Sequence, residues 1–161
     1  MRLTTRTNLA LRTLMFCAVN AGRLVRKQDA ARAINASENH LAQVINKLGQ
    51  KGFLTTQRGR HGGFCLAQGA GTISVGAVFR AFEQDLPFIE CFSDHNTCPL
   101  KAHCVMRPHL ARAVEAFYAV LDEVCLSDLV NCNAGLDALL RLEAPHLGQQ
   151  CGRDPMTHGT S

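Results

Sequence analysis

The residues with the clearest chemical potential are three cysteines: Cys91, Cys98 after six intervening residues, and Cys104 after five more. Thiolates are soft ligands. Three of them on a segment without helix or strand periodicity can wrap a soft metal or an iron–sulfur cluster. Structural zinc sites favour tight Cys-x-x-Cys pairs, which this segment lacks. Clusters normally take four protein ligands, so the triad leaves one position for another residue, water or a partner subunit. Glu90, Asp94, His95 and Asn96 flank the first two thiols, a polar neighbourhood unlike that of core cysteines. His95, His103 and His109 read as solvated. Cys17, Cys65, Cys125, Cys132 and Cys151 read as structural or incidental. Eight cysteines without a secretory leader point to a reducing, cytoplasmic setting, and to metal or redox chemistry rather than disulfides.

A second set of candidates is basic and polar. Residues 1–80 carry twelve Lys/Arg against two acids, net +10, while residues 81–161 carry five against eleven, net −6. A basic half of that strength is expected to meet a polyanion. Within it, Asn39, His40, Gln43 and Lys47 fall on the outward side of an amphipathic segment whose inward side is Leu41, Val44, Ile45 and Leu48. Asn39 and Gln43 can make paired hydrogen bonds to base edges, and Lys47 can meet phosphate. Ser37, as N-cap, leaves backbone N–H groups facing outward for phosphate. Arg58, Arg60 and His61 lie on a glycine-rich turn that could reach phosphates or a minor groove. No nucleophile–base pair, phosphate loop or nucleotide fingerprint is visible, so an enzyme is not expected.

These residues must be positioned by elements, and local signals place them. Thr4 or Thr7 caps a first helix running to about Asn20, and Ala21-Gly22 ends it. A short extended link, Arg23-Leu24-Val25, leads to a short helix over Lys27 to Ile34, then a turn at Asn35-Ala36. Ser37 caps a third helix from Glu38 to about Lys51, stopped by Gly52. Phe53 to Arg58 and Phe64 to Leu66 read as two strands of a hairpin around Gly59-Arg60-His61-Gly62-Gly63. Ser74 caps a fourth helix through about Glu83. A long helix runs from Pro108 to about Val124, with Leu110, Val114, Phe117, Leu121 and Val124 stepping by 4, 3, 4, 3 as a heptad-like seam for a second copy. Shorter helices follow over Ser127 to Val130 and Ala134 to Leu142.

The fold expected is mainly α with a small β-hairpin: a winged helix-turn-helix over 1–83, a cysteine loop over 84–107 and dimerisation helices over 108–142. Residues 143–161 are predicted to be a disordered tail. No run approaches the roughly 18–20 apolar residues that span a bilayer.

Specific stretches resemble the Rrf-two family of winged-helix regulators. They are Met1 to Thr4, Asn8 to Arg12, Asn39 to Leu48, the wing Arg58 to Gly63, Glu90-Cys91-Phe92, Cys98-Pro99-Leu100 with Cys104, and Phe117 to Val130. Within the family the likeness is greatest to nitric-oxide-sensing repressors, then to iron-responsive regulators, then to regulators of iron–sulfur assembly. The resemblance implies that Cys91, Cys98 and Cys104 hold a [2Fe-2S] or [4Fe-4S] cluster. It implies a homodimer on a palindromic operator, repressing genes of nitric oxide detoxification or denitrification until nitric oxide destroys the cluster. Relatives can donate an N-terminal aspartate from the partner subunit as fourth ligand; the matching position here is Asn8, and a neutral amide is a poorer iron ligand. The fourth position therefore stays open among Asn8, Asp94, His103, another acid and water. Two readings compete: a redox enzyme or cluster-transfer protein, and a cluster-free regulator using thiol oxidation or zinc.

Overall fold

The computed structural model describes residues 4–83, Phe92 and residues 96–142. The Thr4 hydroxyl accepts from the Thr7 N–H and caps α1 (Thr5–Val19). At the other end, buried Asn20 donates from Nδ2 to Phe16 O at 2.9 Å and to Leu140 O at 2.8 Å, and accepts from the Leu142 N–H at 3.0 Å. One side chain thus closes α1 and ties down the end of the described chain 120 residues later. A buried amide is retained at low cost only when its groups are paired in this way.

Helix α2 (Lys27–Ala33) leads into a turn where Asn35 takes φ 51°, a left-handed conformation that asparagine tolerates better than most residues. Ser37 accepts from the His40 N–H and starts α3 (Glu38–Gln50). The hairpin pairs β1 (Leu54–Gln57) antiparallel to β2 (Gly63–Leu66), with Leu54 opposite Leu66 and Gln57 opposite Gly63. The link expected around Val25 does more than connect: Val25 and Phe64 exchange both backbone hydrogen bonds at 2.9 Å, adding a third short rung to the hairpin.

A 3-10 turn (Ala70–Thr72) precedes α4 (Val75–Glu83), which Ser74 caps through the Ala77 N–H. Helix α5 (Met106–Asp122) starts two residues before the expected Pro108. Proline fits there because first-turn N–H groups have no helical partner to lose. Helices α6 (Leu126–Val130) and α7 (Ala134–Leu140) complete the described chain.

The core gathers on α1, which packs against α2, α3, α4, α6, α7 and β2. Phe16, Leu14, Leu41, Leu48, Val44, Val78 and Ile73 are fully enclosed, and Leu126 of α6 joins them. Burial of each such side chain contributes about 1.5–3 kcal/mol. Helix α5 is different. None of its residues is buried. It leans on α4 through an edge-to-face contact of Phe117 with Phe79, 5.8 Å between centroids, and a paired Arg80–Asp122 bridge whose second arm is 2.7 Å. Gly76 makes this approach possible: a Cβ there would lie 2.1 Å from Asp122 Oδ1 and 2.9 Å from its backbone nitrogen.

No helix among the described residues is long and apolar enough to cross a membrane. The expected tail, 143–161, and much of the expected cysteine loop, including Cys91, Asp94 and His95, lie outside the described residues.

Candidate nucleic-acid interface and thiol segment

Helix α3 owes its placement to its inward stripe. Leu41, Val44, Ile45 and Leu48 recur at helical spacing, and all four are buried against the core. This leaves Asn39, His40, Gln43 and Asn46 exposed along the opposite side. Ser37, at the exposed N-terminus, accepts from the His40 N–H with its hydroxyl, and the first-turn N–H groups of a helix have no partner within the helix itself. Thirteen residues give the helix a length of about 20 Å, a shape a major groove admits.

Lys47 takes a different direction from its neighbours on the helix. It is half-buried, with its ammonium 5.1 Å from the centre of the Phe82 ring on α4. Beside it, Glu83 accepts from the Thr4 N–H at 3.1 Å, the Thr4 hydroxyl at 2.8 Å and the Thr7 hydroxyl. Burial pushes the Glu83 carboxyl up, but the bonds from Thr7 and Thr4 and the charge of Lys47 outweigh it and hold the carboxyl below its ordinary range. The end of α4 is thereby fastened to the start of α1 and lies against the end of α3.

The wing tip carries Arg58, Arg60 and His61, all exposed. Its geometry is enforced by backbone crowding. A Cβ on Gly63 would come within 2.6 Å of Val25 O, so only glycine lets β2 run this close to the Val25 segment. Two further cations escape notice in the sequence. Arg6 donates from Nη2 to Gln43 Oε1 at 3.4 Å, and Arg12 from Nη1 to Ile34 O at 3.4 Å. Both project from α1 beside α3, where a groove is lined by Asn8, Arg12, Asn35, Ser37 and His40. Arg12 falls inside the basic half, but only the docking of α1 on the helix-turn-helix brings it to this face. Asn8 is exposed in the same groove.

Of the thiol triad, Cys98 and Cys104 are described. Both are free and partly exposed. Cys98 is held by its own segment: its N–H donates to Asn96 Oδ1 at 2.9 Å, and its carbonyl accepts from the Lys101 N–H at 3.2 Å. Among the described residues no three His, Cys, Asp or Glu side chains gather as a metal site. The donor chemistry of two accessible thiols on a polar loop nevertheless fits a soft metal or cluster. Cys17 contrasts with them. It is buried in α1, its thiol pushed far up by burial, and is inert as a ligand. His103 and His109 are exposed, as expected of solvated side chains. Cys125 stands at the N-cap of α6 and Cys132 is exposed at φ 57°. Cys65 of β2 corrects the expectation of no disulfides: it is disulfide-bonded in the structure.

Comparison with known proteins agrees with this architecture. Residues 3–132 match the Rrf2 (Rrf-two) family, described as an iron-dependent transcriptional regulator. The chain is 41% identical over 143 residues to the HTH-type transcriptional regulator NsrR of Geobacillus kaustophilus, covering 88% of this chain and 97% of that one. It is 37% identical over 145 residues to NsrR of Bacillus subtilis, covering 89% and 99%. The solved structure of CymR, the global cysteine regulator of B. subtilis, superposes with a TM-score of 0.64 at 25% identity, over 81% of this chain and 96% of that one. These relatives are regulators rather than enzymes, and the winged helix-turn-helix built on α3 and the hairpin is the feature a DNA-binding regulator requires. The chain belongs to the Rrf2 family of transcriptional regulators.

Proposed function

We propose that this regulator is a dimeric repressor in which Cys91, Cys98 and Cys104 hold an iron–sulfur cluster, and that nitric oxide, by destroying the cluster, releases genes of nitric oxide detoxification or denitrification. The observation that carries the reading is the pair of free, partly exposed thiols, Cys98 and Cys104, between a DNA-reading domain and an unburied helix α5. The likeness to regulators named NsrR supports this reading over others in the family. When bound, the cluster supplies iron that reacts with nitric oxide. The chain's residues do the rest. Asn39, His40 and Gln43 meet base edges from α3, while Ser37 and the helix start meet phosphate. Arg58, Arg60 and His61 follow the backbone beyond the groove edge. Lys47, through Phe82 and Glu83, connects α3 to the end of α4, the element that precedes the cysteines in the chain, and a change around the cysteines would bear on the reading helix by way of α4.

Dimerisation through α5 would set two copies of α3 one DNA turn apart on a palindrome. A second reading, an iron-responsive or cluster-assembly regulator of the same family, is favoured by Asn8. A neutral amide stands where an aspartate ligand would support nitric oxide sensing, so the fourth ligand is Asn8 of the partner subunit only if an amide suffices. A cluster-free thiol sensor is the remaining reading.

The test is anaerobic purification with an absorption spectrum, followed by a mobility-shift assay on genomic fragments with and without nitric oxide. Brown protein that binds a palindrome and loses it with nitric oxide supports the proposal. Release by iron chelation but not by nitric oxide would select the second reading. Colourless protein with full affinity, or a Cys98→Ala variant that still responds, would sink the cluster.

A further inference from the structure

Gln43 stands at the middle of the exposed side of α3, and Arg6 reaches it from the first turn of α1. A guanidinium carries donors only. It must therefore face the carbonyl oxygen of the Gln43 amide, and the contact orients the amide: Oε1 toward Arg6, Nε2 away from it. An unconstrained glutamine reads adenine best, because one amide can give a hydrogen to N7 while Oε1 accepts from the N6 amino group. With Oε1 held beside a cation, that second half is opposed twice. The oxygen is engaged, and the adenine amino group would approach a positive charge. On the same major-groove edge guanine presents two acceptors, N7 and O6 in place of adenine's N6 donor, which suit both the free Nε2 hydrogens and the nearby guanidinium. Arg6 has no ion pair among the described residues, and both side chains are exposed, so the pair's charge is available to a ligand.

We propose that Arg6 sets the base preference of Gln43, turning a side chain that would read adenine into one that reads an acceptor-only edge, guanine foremost. Arg6 acts through Gln43 and is a specificity-determining residue on α1, outside the helix-turn-helix itself. The inference rests on the DNA-reading role proposed for α3.

The experiment is selection from a randomised duplex library with anaerobically purified full-length protein, comparing wild type with Arg6→Leu, Arg6→Lys and Gln43→Ala. Gln43→Ala identifies the position that Gln43 reads, as the one whose preference disappears. At that position wild type is expected to select guanine, and Arg6→Leu to shift the guanine-to-adenine ratio toward adenine by on the order of ten-fold. Arg6→Lys, still donor-only and charged, is expected to keep guanine. Circular dichroism of Arg6→Leu checks that α1 remains folded. If Arg6→Leu weakens all sequences equally and leaves the preference unchanged, Arg6 is a phosphate contact and the inference fails. It fails equally if wild type selects adenine there. If wild type enriches no duplex, the reading of α3 itself is overturned and the inference goes with it. In the first two failures, by contrast, selection succeeds.

Discussion

At the scale of single residues, Glu83 is the side chain through which distant parts of the chain are held together. It accepts three hydrogen bonds from Thr4 and Thr7, which lie nearly eighty positions earlier, and it lies near Lys47. Its carboxyl is held low in the folded chain. Its contribution is therefore fully present above the ordinary carboxylate value, about 4.3, and is lost as pH falls through the folded value. Glu83→Gln keeps an acceptor oxygen and removes the charge. The variant is expected to be less stable than wild type by about 1 kcal/mol at pH 7. The gap should narrow below about pH 4.3, as read from denaturant midpoints across the pH range. Equal midpoints at pH 7 would show that the network contributes nothing.

At the scale of elements, the wing depends on a backbone-to-backbone approach. Val25 and Phe64 bridge the hairpin to the link before α2, and Gly63 leaves no room for a side chain against Val25 O. Gly63→Ala is expected to cost about 1–3 kcal/mol by forcing β2 away from the link. The same change should weaken DNA binding by displacing Arg58, Arg60 and His61, whereas Gly69→Ala, with nothing within 4 Å, serves as a control. A denaturation midpoint for Gly63→Ala that matches wild type would contradict the account. Helix α3, in contrast, is braced on its whole inward side by Leu41, Val44, Ile45 and Leu48, so its exposed residues can be exchanged with little loss of fold.

At the scale of the whole molecule, α5 is the element that the proposed dimer would cover. Seventeen residues contain none that is buried, and Met106 and Val120 are each 64% exposed. The heptad-like seam expected for a second copy is partly used within the chain, since Phe117 packs on Phe79 and Val124 lies beyond the helix, so in the proposed dimer it is the open side chains of Met106 and Val120 that close on a second copy. Val120→Glu places a charge on the open side without disturbing the contact of Phe117 with Phe79. The expected outcome is a dimer weakened at least ~10-fold in sedimentation equilibrium, with the unfolding of the monomer unchanged. Affinity for a palindromic site should fall towards that for a half-site. A dimer that persists undiminished would move the interface elsewhere.

Local chemistry made much of this protein legible from its residues. Thr4, Ser37 and Ser74 are side-chain caps where caps were expected, because a hydroxyl and a nearby N–H within one turn need nothing from the rest of the chain. The inward stripe of α3 and the glycine-rich wing were readable for the same reason: helical period and turn chemistry are short-range. The spacing of Cys91, Cys98 and Cys104 likewise named a donor chemistry, though not how the three come together. Only the tertiary structure decided which distant groups meet. It turned Lys47 from the outer side of α3 toward Phe82, joined Thr4 and Thr7 to Glu83, made Val25 part of the wing, and set Arg6 on Gln43. The Arg6 and Thr4/Thr7 contacts are made across the packing of α1 against α3 and α4, and the other two across α3 with α4 and the Val25 link with β2. That packing is a property of many side chains filling one core, and no spacing along the chain encodes which polar groups it will leave side by side.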